Sequence, residues 1–294
     1  MNVRVWLKTN TESLDGKTVA ITGATGGLGG ELCRYLLSLG ASPVLLDRNR
    51  KKSDALRDAL LVEYPDATIT QIPLDLSEMS SVRAACEALE ALPIDVFIHN
   101  AGAYSIPRKM CDMGYDNVFQ INFVSPYYMT RRLLPHLAKT SGRVVVVGSI
   151  AHRYSKSDAD DVDFSTRKRA SLVYGNAKRY LMFALHELFR NETRVTLAVT
   201  HPGIAFTGIT AHYPRVIFAL IKYPMKILFM RPRVACLSVL RGVFAPTPYG
   251  EWWGPWLFDI WGRPRLGKLQ NVSSKERAEI ALRAELIWQK TSEK

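Results

Sequence analysis

The feature that most restricts this chain is an alternation. Six short apolar or β-branched runs, at 18–22, 43–46, 67–72, 94–98, 143–147 and 195–200, are separated by stretches of helical spacing. Helices are expected at 28–39, 53–63, 78–91, 114–138 and 173–190. Ser77 is placed to cap the third of them, Gly40 to stop the first, and Pro126 and Pro135 interrupt the longest. Strands that alternate with helices build a parallel sheet wound on both faces, because each parallel crossover carries a helix across the sheet. The run Arg143–Val147 holds four consecutive valines, as suits a strand buried on both sides. Ligands of such sheets lie beyond the carboxyl ends of the strands. No repeat, low-complexity tract or linker divides the 294 residues, so a single domain is expected. The alternation stops after residue 200, where a substrate lid and C-terminal extension (208–294) are expected.

With 47% hydrophobic and 22% charged residues, the chain is not disordered, collagen-like or held by disulfides. Cys33, Cys86, Cys111 and Cys236 show no Cys-x-x-Cys pair and no metal-ligand spacing, which suits reduced thiols in a cytoplasmic protein. No apolar run approaches the roughly 18 residues of a spanning helix. Residues 1–15, with Arg4, Lys8, Glu12 and Asp15, lack the apolar stretch of a secretory leader. The net charge of +12 is uneven: residues 211–270 hold nine Lys and Arg against two acids, together with Trp252, Trp253, Trp256 and Trp261. Such a region suits nucleic acid, a membrane surface, an anionic ligand, or a solvated surface over a Trp-rich core. No nucleic-acid motif accompanies it.

Two motifs carry chemistry. Thr22-Gly23-Ala24-Thr25-Gly26-Gly27-Leu28-Gly29 joins the first strand to the first helix. Glycines there permit a tight turn and close backbone approach, and the helix N-terminus attracts a pyrophosphate. Tyr174 and Lys178, at i and i+4, share one face of a helix. Ser149 lies just past the valine strand, His99-Asn100-Ala101-Gly102 closes the fourth strand at the same edge, and Asn122 lies on the following helix. Polar residues converging at strand ends are what an active site requires.

Taken in order, these motifs resemble the short-chain dehydrogenase/reductase family, whose fold is a doubly wound Rossmann-type α/β sheet. The glycine turn fits Thr-Gly-x-x-x-Gly-x-Gly through Thr22, Gly23, Gly27 and Gly29. The Asn-Asn-Ala-Gly motif appears with His99 in its first place, and Pro202-Gly203 with Thr207 matches the motif after the sixth strand. The glycines also satisfy the spacing of the sugar-nucleotide epimerase branch through Gly23, Gly26 and Gly29, but the Asn-Ala-Gly and Pro-Gly motifs and the short C-terminal region oppose it.

The resemblance implies a catalytic tetrad of Asn122, Ser149, Tyr174 and Lys178. Lys178 would draw the Tyr174 pKa down toward neutrality, Ser149 would hold the substrate oxygen, and Asn122 would serve a proton relay through water. It implies a nicotinamide dinucleotide against Thr22, Gly23, Thr25, Gly26, Gly27, Leu28, Gly29, Asp75, Leu76, Asn100, Ala101, Gly102, Tyr174, Lys178, Pro202, Gly203 and Thr207. At the end of the second strand, Asp47 suits the ribose 2′-hydroxyl of NAD, whereas Arg48 suits the 2′-phosphate of NADP. Asp47, and Gly26 standing where a basic residue often precedes the second motif glycine of NADP users, point to NAD.

Ser149 and Tyr174 stand 25 positions apart, a long insertion shared with retinol-dehydrogenase-like members, and Ser149-Ile-Ala-His152 is similar to theirs. A bulky lipophilic alcohol or carbonyl, steroid- or retinoid-like, is therefore the expected substrate. The apolar and basic segment 213–230 would form the lid and touch a membrane surface peripherally. Relatives pair through the helix at 173–190, so a homodimer or homotetramer is expected, with Val173, Leu181, Leu185 and Leu188 serving core or interface. The alternatives are a catalytically silent NAD(P)-binding regulator and a nucleotide-sugar epimerase or dehydratase.

Overall fold

The computed structural model describes residues 2–204, 230–269 and 272–293. Its centre is an eight-stranded sheet in the order β3-β2-β1-β4-β5-β6-β7-β8. The strands are β1 (Thr18–Thr22), β2 (Ser42–Asp47), β3 (Thr70–Pro73), β4 (Val96–His99), β5 (Arg143–Val147), β6 (Thr196–Thr200), β7 (Glu251–Leu257) and β8 (Trp261–Lys268). All pairings are parallel except β7 with β8. The helices are α1 (Val3–Asn10), α2 (Gly27–Ser38), α3 (Arg50–Glu63), α4 (Met79–Glu90), α5 (Ser125–Leu137), α6 (Ala170–Leu188), α7 (Leu237–Phe244) and α8 (Ser274–Ser292).

Period-two alternation explains the valine run. Val144 and Val146 enter the core beneath α4, α5, α6 and α8, whereas Val145 and Val147 enter the one beneath α1, α2, α3 and α7. The same alternation sends Phe97 to the first core and Val96 and Ile98 to the second.

Three expectations are corrected, and an N-terminal helix is added. The helix expected from 114 to 138 is a short turn, Asn117–Phe119, then a π-turn, Gln120–Val124, and then α5. Pro126 sits in the first turn of α5, where no N–H is missed, while Pro135 is accommodated inside it. Ser77 does not cap α4, because its N–H and hydroxyl both donate to Asp75; the N-cap residue is Glu78. The N-terminal residues form α1, capped by Asn2, with Trp6 buried. Beyond residue 200 the sheet continues: β7 pairs with β6, and the antiparallel β8 forms the edge.

The helix face left open between core and interface is internal. Leu181 and Leu185 are buried in the core, and α8 lies across α5 and α6, with Ile280, Ala284 and Ile287 buried. Around this contact, Trp288 packs on Tyr128 with ring centroids 5.5 Å apart, and the Arg131 guanidinium lies 4.8 Å from the Trp288 ring. Ile280→Ala costs about 2–5 kcal/mol in urea melts, as core truncations do. Leu282→Ala, two residues on and exposed, changes stability by less than about 0.5 kcal/mol.

Candidate active site

The glycine turn is built by close approach. Gly23 has φ +66°, and a Cβ on it would stand 3.0 Å from the Ala101 Cα, so a side chain would push the ends of β1 and β4 apart. A Cβ on Gly29 would stand 2.4 Å from the Gly23 carbonyl oxygen, which is how tightly α2 is seated on the turn. Side-chain hydrogen bonds hold the turn to the Asn-Ala-Gly motif. The Thr22 hydroxyl oxygen accepts from the N–H groups of Asn100 (3.1 Å) and Ala101 (3.0 Å). The Asn100 amide donates to the carbonyls of Thr22 and Gly23, both at 3.0 Å.

Gly26 is the N-cap residue of α2, and no side chain caps this end. Gly26 and Gly27 are exposed and Leu28 half-buried, which leaves the first-turn N–H groups and the positive end of the helix dipole facing outward. That is the environment a pyrophosphate needs, and the turn fits a dinucleotide.

At the end of β2 the two candidate cofactor selectors differ in accessibility. Asp47 is 5% exposed; one carboxylate oxygen accepts from the N–H and hydroxyl of Thr25 (2.9 and 2.8 Å), the other from Ser53 (3.3 Å). It braces the turn from beneath. Arg48 has 73% of its side chain exposed, with Nε 3.9 Å from an Asp75 oxygen. The other Asp75 oxygen holds Ser77. Leu76 is buried, and its carbonyl accepts from the Ser125 hydroxyl at 2.7 Å.

The tetrad residues come together at the same edge. Asn122 lies in the π-turn, fully buried, with its amide donating to the carbonyls of Ala103 and Val118 at 2.8 Å and its oxygen accepting from the Ala103 N–H at 3.3 Å. Its side chain therefore stitches the turn to the chain after β4. A Cβ on Gly102 would lie 2.8 Å from the Asn122 oxygen and 3.5 Å from Lys178 Nζ, so these three residues share one spot.

Lys178 is 2% exposed; its Nζ donates to the Val147 carbonyl at 2.8 Å and lies 5.8 Å from the Tyr174 ring centroid. Ser149 caps the 3-10 turn Ile150–Tyr154, its hydroxyl oxygen accepting from the Ala151 N–H at 3.2 Å. Its hydroxyl is near enough to Tyr174 to favour the phenolate. Tyr104 meets the Tyr174 ring edge-on at 5.3 Å.

Burial dominates the ionisation of both groups. It pushes the Tyr174 hydroxyl up to about 12, against the lowering effect of Ser149, and brings the Lys178 ammonium down to about 8. For Tyr174 the lowering contribution comes from Ser149, and desolvation outweighs it. Tyr174 rests as an acid.

His99 departs from the family motif and has become an anchor. Its Nε2 lies 2.8 Å from the Thr130 hydroxyl, which itself donates to the Pro126 carbonyl, so Nε2 carries the proton. Burial holds the ring neutral, with its pKa brought down to about 3. Gly203, at φ +77°, presses on the β7–β8 turn: a Cβ there would lie 2.4 Å from the Ile260 carbonyl oxygen. Pro202 beside it is buried. Thr207 and nearly all of segment 213–230 lie outside the described residues. Among the described residues, no helix is long and apolar enough to cross a membrane, and no group of three His, Cys, Asp or Glu could hold a metal.

Sequence reasoning missed Arg179 and His152 as neighbours of the site. Position gave a hint for both, since one follows Lys178 and the other lies three residues past Ser149, but nothing in the sequence links them to Glu276 of α8.

The family model for short chain dehydrogenases matches residues 17–160. The chain is 31% identical to retinol dehydrogenase 14 of Mus musculus over 255 residues, covering 78% of this chain and 76% of that one. It is also 31% identical to the short-chain dehydrogenase TIC 32 A, chloroplastic, of Brassica napus, covering 69% of this chain and 68% of the relative. A crystal structure of an uncharacterised protein from Mycobacterium paratuberculosis superposes with a TM-score of 0.71 at 24% identity, over 97% of this chain and 95% of that one, and so shares the fold. Motifs, fold and relatives agree: the chain belongs to the retinol-dehydrogenase-like branch of the short-chain dehydrogenase/reductase family and is an NAD(P)-dependent oxidoreductase.

Proposed function

We propose that this protein interconverts a bulky lipophilic alcohol and its ketone or aldehyde, with Tyr174 as general acid and base. One observation carries the reading. Ser149 is near enough to Tyr174 to lower its pKa, and Lys178 Nζ lies 5.8 Å from the centroid of the same ring, at the strand edge that also bears the uncapped glycine turn. A bound nicotinamide supplies or accepts the hydride, which is chemistry that no side chain provides.

The chain's own residues manage the proton. Ser149 accepts from the Ala151 N–H, which leaves its own O–H to donate to a substrate oxygen or to Tyr174. In the reducing direction Tyr174 is already protonated and gives its proton to the developing alkoxide. Lys178, charged below about pH 8, favours the phenolate left behind. Asn122 holds the π-turn and the Gly102 backbone in register with Lys178.

The lipophilic substrate is supported by the similarity to retinol dehydrogenase 14 and by apolar residues at the carboxyl edge. Trp256 and Phe258 stand 56% and 76% exposed where β7 turns into β8, with Arg263 and Arg265 exposed beside them. This tip suits peripheral contact with an anionic membrane surface. Flotation with anionic vesicles at low salt checks that contact, which Trp256→Ser with Phe258→Ser weakens.

For the cofactor, the accessible selector is Arg48 and not the buried Asp47, which favours the 2′-phosphorylated form, NADP(H), over the NAD expected from sequence. Arg48→Glu then weakens NADPH binding by about tenfold or more and leaves NADH binding within about threefold, by fluorescence titration. Tighter binding of NADH than NADPH by the unsubstituted protein restores Asp47 as the selector.

Tyr174→Phe lowers turnover on a steroid or retinoid panel by at least about 100-fold with cofactor binding intact. Retention of a tenth of the activity overturns the assignment, and binding without turnover on any carbonyl favours a silent regulator. The pH profile has a definite sign. Reduction holds level below about pH 7 and falls as Lys178 loses its proton above about 8, whereas oxidation, which needs the phenolate, rises with pH across that range.

A further inference from the structure

Behind Ser149 lies a buried polar chain that the reaction scheme above does not use. His152 is fully buried three residues after Ser149, with its Nδ1 2.6 Å from the Ser149 carbonyl oxygen. A carbonyl only accepts, so Nδ1 carries the proton and Nε2 is bare; Nε2 finds no partner among the described residues. The ring is wedged edge-on between Trp252 at 5.4 Å and Phe183 at 6.2 Å.

The backbone of His152 is held as firmly as its ring. Arg179, the residue after Lys178, donates through Nη1 to the His152 carbonyl at 3.1 Å. Its other nitrogens form a two-pronged pair with Glu276 of α8, at 2.7 and 2.8 Å. Arg179 has 5% of its side chain exposed and Glu276 17%. Glu276 also accepts from the N–H and hydroxyl of Ser157, at 3.0 and 3.1 Å, inside the long insertion between Ser149 and Tyr174. A buried ion pair adds little net stability, since desolvation opposes the Coulomb attraction, but a forked pair fixes direction.

We propose that His152, held by Arg179 and by Glu276 of the C-terminal helix, is a positioning residue that fixes the Ser149 backbone and so aims the Ser149 hydroxyl at the substrate oxygen. The inference rests on the reading of Ser149 as the group that meets that oxygen. Burial keeps His152 neutral, with its pKa brought down to about 4, so the bond to Ser149 persists across neutral pH.

Two measurements test it. The first needs no turnover: in 15N-histidine NMR of the full chain, the resonances lost in His152→Phe show a protonated Nδ1 and a bare Nε2 that do not titrate between about pH 6 and about pH 9. The opposite tautomer overturns the proposal, whatever the substrate proves to be. The second uses the reducing direction. His152→Phe keeps an aromatic ring between Trp252 and Phe183 but removes the donor, and kcat falls about tenfold or more with KM and NADPH stoichiometry unchanged. His152→Asn, whose amide N–H reaches the same carbonyl, recovers most of that loss. Glu276→Gln, which keeps the acceptor oxygen but loses the charge, gives an intermediate fall in kcat. Equal kcat in His152→Phe and His152→Asn, or a change confined to KM, overturns the proposal. If His152→Phe fails to bind NADPH at one per chain, the comparison of His152→Asn with Glu276→Gln and the tautomer decide the matter.

Discussion

The short bonds between Thr22 and the Asn-Ala-Gly segment hold the site together. Through them the end of β1 is fastened to the end of β4, and Gly23 can lie against Ala101 only because it lacks a Cβ. The turn then presents the N-terminus of α2 outward, while the chain after Ala101 runs past Asn122 and Lys178 at Gly102. Loosening this junction would disturb the glycine turn and the candidate residues Asn122 and Lys178 together, since both lie against it.

Water exclusion sets the chemical character of the site. Tyr174 and Lys178 each move toward their neutral forms because burial penalises charge, the phenol upward and the ammonium downward. In the proposed reaction, a resting phenol beside a weakened ammonium would deliver a proton to a carbonyl-derived oxygen. Oxidation then calls for removal of that proton against the same desolvation.

The C-terminal part of the chain contributes more than a cover. β7 and β8 extend the sheet beyond β6, and α8 lies across α5 and α6, the helix that carries Tyr174 and Lys178. Through Glu276 and Arg179 this last helix also reaches the segment that follows Ser149. The last helix is thereby joined to the strand edge that bears Ser149.

Local pattern was enough to read the alternation, the double-faced burial of the valine strand, the glycine turn and the order of the tetrad, because each depends on side-chain type at short spacing. Helix ends and the long helix around Asn122 were less legible. A π-turn there depends on bonds from Asn122 to Ala103, 19 residues away, and periodicity cannot register it. The extra strands escaped because a sheet edge is completed by pairing with β6, a partner more than 50 residues earlier in the chain. Asp47 and Arg48 are adjacent in sequence, and only the packing of Thr25 and Ser53 around the carboxylate left one buried and the other open. By itself, then, the sequence determined the family and the wound sheet and named the candidate catalytic residues; tertiary structure decided their accessibility and the placing of Ser149, since those depend on desolvation and on partners that only folding brings within reach.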